Sequence, residues 1–165
     1  MTEHIKLPEL STDEGFDGES FSAIYTTTVT VSGGVAGHGR ASGRARSADG
    51  ALGLDLHMPA ELGGDGRGTN PEQSFAAAFA ASFHGALSLV ARQTALDPAV
   101  ISIEATVALG RDPGGGGYLL RVDLVVKWPD IPPQIAAPLI EKATSLCPYA
   151  RMAREGTPTT ITLAP

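Results

Sequence analysis

The chain is nearly without cysteine: one residue, Cys147, in 165. A lone thiol excludes an intramolecular disulfide and any cysteine-based zinc site built by one chain, and it points to a reducing compartment. Basic residues are also few, with 12 Lys and Arg against 18 Asp and Glu, for a net charge of -6. Six of those acids (Glu3, Glu9, Asp13, Glu14, Asp17, Glu19) crowd residues 1–20 against Lys6 alone. The remainder is close to neutral, so a nucleic-acid partner is not expected, because phosphate binding needs a basic excess. No uninterrupted run of about 18 or more apolar residues is present, and the start is acidic rather than basic and then apolar. A cytoplasmic protein with no membrane partner is the expectation. Four scattered histidines (His4, His38, His57, His84) show no i, i+3 or i, i+4 pair, so no bound metal is expected.

What is present reads as one globular domain. Apolar residues make up 42% of the chain and charged residues 18%, a composition able to build a core at this length. Residues 1–20 read as an acidic tail and 21–165 as the domain. Tyr25–Ser32, rich in Thr and Val, predicts a strand ended by Gly33-Gly34. Arg44–Ala48 predicts a second, with Asp49-Gly50 as its turn, and the alternation of Leu52, Leu54, Leu56 and Met58 a third. Thr69 and Asn70 are both good caps, Pro71 suits the first turn, and Glu72 three residues after Thr69 completes a capping-box pattern, so a helix opens here. From Phe75 to Ala91 its only polar side chains are Ser82, His84 and Ser88, so it reads as a helix buried on most sides. Ile101–Leu109 and Tyr118–Trp128 predict a hairpin across a four-glycine loop. A helix from Pro132-Pro133 to Cys147 and a final strand, Thr157–Leu163, complete an α+β domain with two similar halves.

Few of these residues declare a chemistry individually. Ala80–His84 lacks the glycines of a serine-hydrolase elbow, and Ser82 and His84 point to different faces of a helix. The Gly63–Gly68 loop precedes a helix N-terminus, where backbone N–H groups can cradle an anion, but it lacks the lysine of a P-loop and reads as a turn. Glu72 alone is a capping carboxylate, Arg40 a solvated loop charge and Cys147 a small buried residue at a helix C-terminus, the end that disfavours a thiolate.

Taken in order, Thr69-Asn70-Pro71-Glu72-Gln73, the run to Phe83-His84-Gly85-Ala86-Leu87, and Cys147-Pro148-Tyr149 resemble the organic hydroperoxide resistance (Ohr) branch of the OsmC family, over about Tyr25 to Leu163. The resemblance implies a thiol peroxidase that reduces organic or fatty-acid hydroperoxides and is itself reduced by a dihydrolipoyl-type dithiol on a lipoylated protein, with no bound cofactor. It implies an intertwined homodimer, antiparallel sheets around a buried central helix from each chain, with sites at the interface. Glu72 then matches the activating glutamate, Cys147 the resolving cysteine, and Arg40 the activating arginine, with Arg44 as the alternative because the loop is longer than in the family. The peroxidatic position falls on Ser82. A serine hydroxyl cannot follow the sulfenate–disulfide ladder, so the chain as written is expected to be inactive, whether the serine was introduced or inherited. The alternative is a non-catalytic member holding a fatty acyl or similar apolar ligand. Ten residues separate Glu72 from Ser82, about 15 Å along a helix. For both to meet one substrate, the helix must break or the dimer interface must bring them together.

Overall fold

A computed structural model describes residues 21–35 and 42–164. By its contacts the chain forms two compact units, Thr27–Thr157 and a second made of Met1–Thr26 with Pro158–Pro165. The acidic tail and Arg40 lie outside the described residues. The described part of the second unit contains no helix or strand. Thr157–Leu163, expected as a final strand, therefore forms none, and Ile161 and Leu163 are 93% and 98% exposed. Alternating threonine and apolar residues supply β propensity, but a strand exists only where a ladder forms on a neighbouring edge.

The larger unit opens with an antiparallel meander in the order β1 (Val29–Ser32), β2 (Gly43–Ser47) and β3 (Gly53–Leu56). Its register sets Val31 opposite Ala45 and Ala45 opposite Leu54, so the predicted period of two gives an apolar face. The other face carries Arg44 opposite Asp55, at Nε–Oδ1 3.0 Å. Ala45 and Leu56 are buried, yet Val29 and Val31 remain about half exposed; one chain covers this face only in part.

Helix α1 runs unbroken from Pro71 to Gln93. Of the two caps the sequence offers, Asn70 is the one used: its side chain accepts from Gln73 N–H at 2.8 Å, with Pro71 in the first turn. Thr69 is unavailable because it bridges Leu56 as an extended residue, its carbonyl accepting from His57 N–H at 2.8 Å. Burial is also narrower than expected. Phe79, Phe83, Leu87, Val90 and Ala91 form one buried stripe, while Gln73, Ala77, Ala81 and Gly85 are exposed on another. An all-round apolar helix needs neighbours on all sides, and one chain supplies them on only part of its circumference.

A short 3₁₀ turn at Pro98–Val100 leads into β4 (Ser102–Arg111), which pairs with β5 (Tyr118–Lys127) across the glycine loop as an isolated two-stranded sheet. Ile103, Val122, Leu124 and Val126 pack against the core centred on α1. Two helices, rather than one, close the unit: α2 (Pro133–Leu146) and α3 (Pro148–Glu155). Pro148 drives the residue before it out of the helical region, and Cys147 accordingly has φ -75°, ψ 118°. The expected symmetry of halves is therefore broken, with a helix where the second half lacks its last strand.

Candidate functional site

The elbow between α2 and α3 delivers Cys147 to the flank of α1. Its side chain is fully buried, and Sγ lies 3.5 Å from Ser82 Oγ across 65 residues of chain. Cys147 is at once the C-cap of α2 and the N-cap of α3, its carbonyl accepting from Arg151 N–H at 3.0 Å. The sulfur thus does not face a negative helix end alone, as the single-helix reading held; the positive end of α3 begins at the same residue.

One side of this pair is aromatic. Tyr149 stacks against Phe79 and Phe75, with ring centroids 5.8 and 6.4 Å apart, and the two phenylalanines meet edge-to-face at 6.0 Å. Phe79 lies one turn before Ser82, and Tyr149 two residues after Cys147. The sequence marked Tyr149 only as part of a motif, and its stacking partners could not be read there because they come from another helix. His84, next but one to Ser82, is used by the fold: its Nε2–H donates to the Ile101 carbonyl at 3.1 Å, and Ser88 Oγ approaches Nδ1 at 3.4 Å.

The other residues singled out from the sequence do not join this pair within one chain. Glu72 sits in the first turn of α1, in a groove of about 490 Å³ lined also by Pro59, Leu62, Ala76, Val107 and Leu109. The helix is continuous between Glu72 and Ser82, so the first of the two expected routes, a break in the helix, is not taken, and about 15 Å of helix separates them. Arg44 occupies a different groove, of about 550 Å³, with Asp55, His57, Met58 and Asp65. Its guanidinium holds the Asp55 carboxyl below the usual range. In the same groove Asp65 is held low by the Arg67 backbone N–H and by His57, whose Nδ1 is 2.8 Å away. No group of three or more His, Cys, Asp or Glu side chains among the described residues could hold a metal.

Residues 64–162 match the model of the OsmC-like protein family. An organic hydroperoxide resistance protein from Xanthomonas axonopodis pv. citri is 41% identical over 143 residues, 86% of this chain and 95% of its own. The chain belongs to the OsmC-like family, in its organic hydroperoxide resistance branch. Among solved Ohr structures, OhrB of Bacillus subtilis is 39% identical, with a TM-score of 0.69 over 81% of this chain and 93% of that one. A putative organic hydroperoxide resistance protein of Vibrio cholerae, with captopril bound in one of its active sites, is 34% identical with a TM-score of 0.73, over 83% and 90% of the two chains. Set in the Ohr family, the α1 stripe, the hairpin behind it and the α2–α3 elbow are an inherited frame, and the 3.5 Å approach of residues 82 and 147 is made by that frame.

Proposed function

We propose that this chain is an organic hydroperoxide reductase scaffold whose attacking position is held by Ser82 and whose resolving thiol is Cys147. The observation that carries the reading is the 3.5 Å separation of the half-buried Ser82 Oγ and the buried Cys147 Sγ, next to the Phe79–Tyr149 ring pair. With sulfur at position 82, a thiolate there attacks one oxygen of the peroxide. The O–O bond breaks, and the leaving alkoxide takes a proton to become the alcohol. The resulting sulfenic acid is two electrons more oxidised. The Cys147 thiol then attacks that sulfur, water leaves and a disulfide forms; an external dihydrolipoyl-type dithiol restores both thiols by two exchanges. With oxygen at position 82 the first step has no counterpart, and the chain as written is inactive toward peroxide.

The activating groups come from a second copy in this reading. Glu72, with Arg40 or Arg44, reaches the Ser82–Cys147 pair across an intertwined homodimer, where a guanidinium stabilises the thiolate and a carboxylate orients the guanidinium. Three features support the dimer: the exposed Ala77, Ala81 and Gly85 stripe on an otherwise apolar helix, the exposure of every residue of β1, and the half-covered apolar face of the meander. The Vibrio cholerae relative has more than one active site, which fits two sites per pair of chains. α1 is long and apolar enough to cross a membrane by length and composition, but we read it as the central helix of a cytoplasmic protein without membrane or nucleic-acid partners.

Ser82→Cys tests the function. The variant is expected to reduce cumene or tert-butyl hydroperoxide with a dihydrolipoyl reductant, on the order of 10³-fold or more above the parent chain. A folded variant without lipoyl-dependent turnover would sink the reading. The apolar lining of the Glu72 groove favours one second reading, retention of a fatty acyl ligand without reaction. Native mass spectrometry of the purified chain would then carry a lipid adduct, and its absence would count against that reading.

A further inference from the structure

We propose that His57 and Asp65 form a clasp that fixes the head of α1, and with it Glu72, making them positioning residues for the activating carboxylate; the catalytic half of this inference rests on the role proposed for Glu72. The segment from His57 to Thr69 leaves β3 and returns beside it. Its base is closed by His57 N–H donating to the Thr69 carbonyl at 2.8 Å, and its interior by Gly64 N–H to Pro59 at 3.0 Å and Gly66 N–H to Met58 at 3.1 Å. Four glycines (Gly63, Gly64, Gly66, Gly68) in this short stretch give it little stiffness of its own. The brace is a side chain. His57 Nδ1 lies 2.8 Å from Asp65 Oδ1, which also accepts from Arg67 N–H at 3.1 Å.

The other edge of the imidazole lies against Gly68, where any Cβ would collide with His57 Cδ2 and the Asp55 carbonyl oxygen. The ring is thus wedged between the Asp65 carboxylate and the backbone two residues ahead of the Asn70 cap. Thr69, Asn70, Pro71 and Glu72 follow with no intervening slack. The charges around the ring are Asp65 itself, Arg67 beside it, and Asp55 and Arg44 in the same groove.

Two measurements test it. The first, hydrogen exchange by mass spectrometry on the chain as it stands, does not depend on any catalytic role. Asp65→Ala is expected to speed exchange across residues 63–74 by about tenfold or more, leaving the β4–β5 hairpin unchanged; unchanged exchange in 63–74 overturns the clasp. The second uses the Ser82→Cys background. Asp65→Ala is expected to lower kcat about tenfold with little change in KM. Asp65→Asn, whose amide oxygen still accepts from His57, restores it, and Asp65→Ala costs nothing further once Glu72→Gln is present. Asp112→Ala, a carboxylate in the distant glycine hairpin, serves as the control without effect. A loss that adds in full to that of Glu72→Gln, or that Asp65→Asn does not rescue, overturns the positioning role. If Ser82→Cys has no peroxidase activity, the proposed function fails, while the exchange experiment still decides the clasp.

Discussion

At the scale of single residues, oxygen for sulfur at position 82 outweighs every other feature of the site. Thiols and hydroxyls are nearly isosteric, so the surroundings persist: Cys147 remains buried and within 3.5 Å of the serine. That proximity makes a prediction independent of peroxide. Mild oxidation of Ser82→Cys should join positions 82 and 147 in an intrachain disulfide, read as loss of both titratable thiols and a peptide cross-link by mass spectrometry. The paired carboxylates make a second. Arg44 holds Asp55, and the Arg67 backbone N–H together with His57 holds Asp65, below the usual carboxylate range. A depressed folded pKa stabilises the native state fully above the unfolded value, about 3.9, and that contribution disappears as pH falls through the folded pKa. The stability gap between the parent and Asp55→Asn should therefore be constant above about pH 4 and close below it, as followed by acid unfolding at low salt. Salt should shrink the gap, because the pair is exposed.

At the scale of elements, the helix termini decide the site. The Asn70 cap ties α1 to the loop beneath it, and Asn70→Ala should cost about 1 kcal/mol in chemical denaturation. Pro148 holds the α2–α3 elbow open at Cys147. Pro148→Ala removes the bar to a continuous helix, and in the Ser82→Cys background it should slow disulfide closure while leaving helix content by circular dichroism unchanged or raised. Most elements were legible in the sequence: the Asp49-Gly50 turn, the period of two in β3, the apolar run of α1 and the glycine hairpin between β4 and β5. Thr157–Leu163 stayed outside any sheet, and of the two cap candidates Asn70 rather than Thr69 took the role, because each outcome depends on a partner strand that local pattern does not specify. Helix α3 went unread although Pro148 at its first position and the Ala-Arg-Met-Ala-Arg-Glu run favour it.

At the scale of the molecule, one chain holds half a site. Glu72 and Ser82 share an unbroken helix and cannot meet along it, and Arg44 lies in another groove. The proposed dimer would resolve this and would also cover the small-residue stripe of α1. Mixing two inactive chains provides the test: Ser82→Cys with Glu72→Gln supplies sulfur but no carboxylate, and the parent supplies the carboxylate but no sulfur. If Glu72 acts across the interface, the mixed dimer should carry one intact site of its two and recover about half the turnover of the Ser82→Cys homodimer, read against each silent homodimer alone; two silent partners that exchange subunits and stay silent would exclude it. Introducing Ala81→Arg into the exposed stripe should convert the dimer to monomer by light scattering, since a desolvated, unpaired guanidinium is costly in such a contact.

The sequence by itself determined the family and the α+β class, because short motifs and periodic burial are local properties of the chain; Ser82 and Cys147 became a candidate pair only through the family resemblance those motifs carry. Only the tertiary structure decided that the two side chains meet at 3.5 Å, that Cys147 stands at an elbow between two helices, and that His57 Nδ1 meets the Asp65 carboxylate in the loop before α1. These depend on residues far apart in sequence being carried together by sheet register and helix packing, which no local pattern encodes.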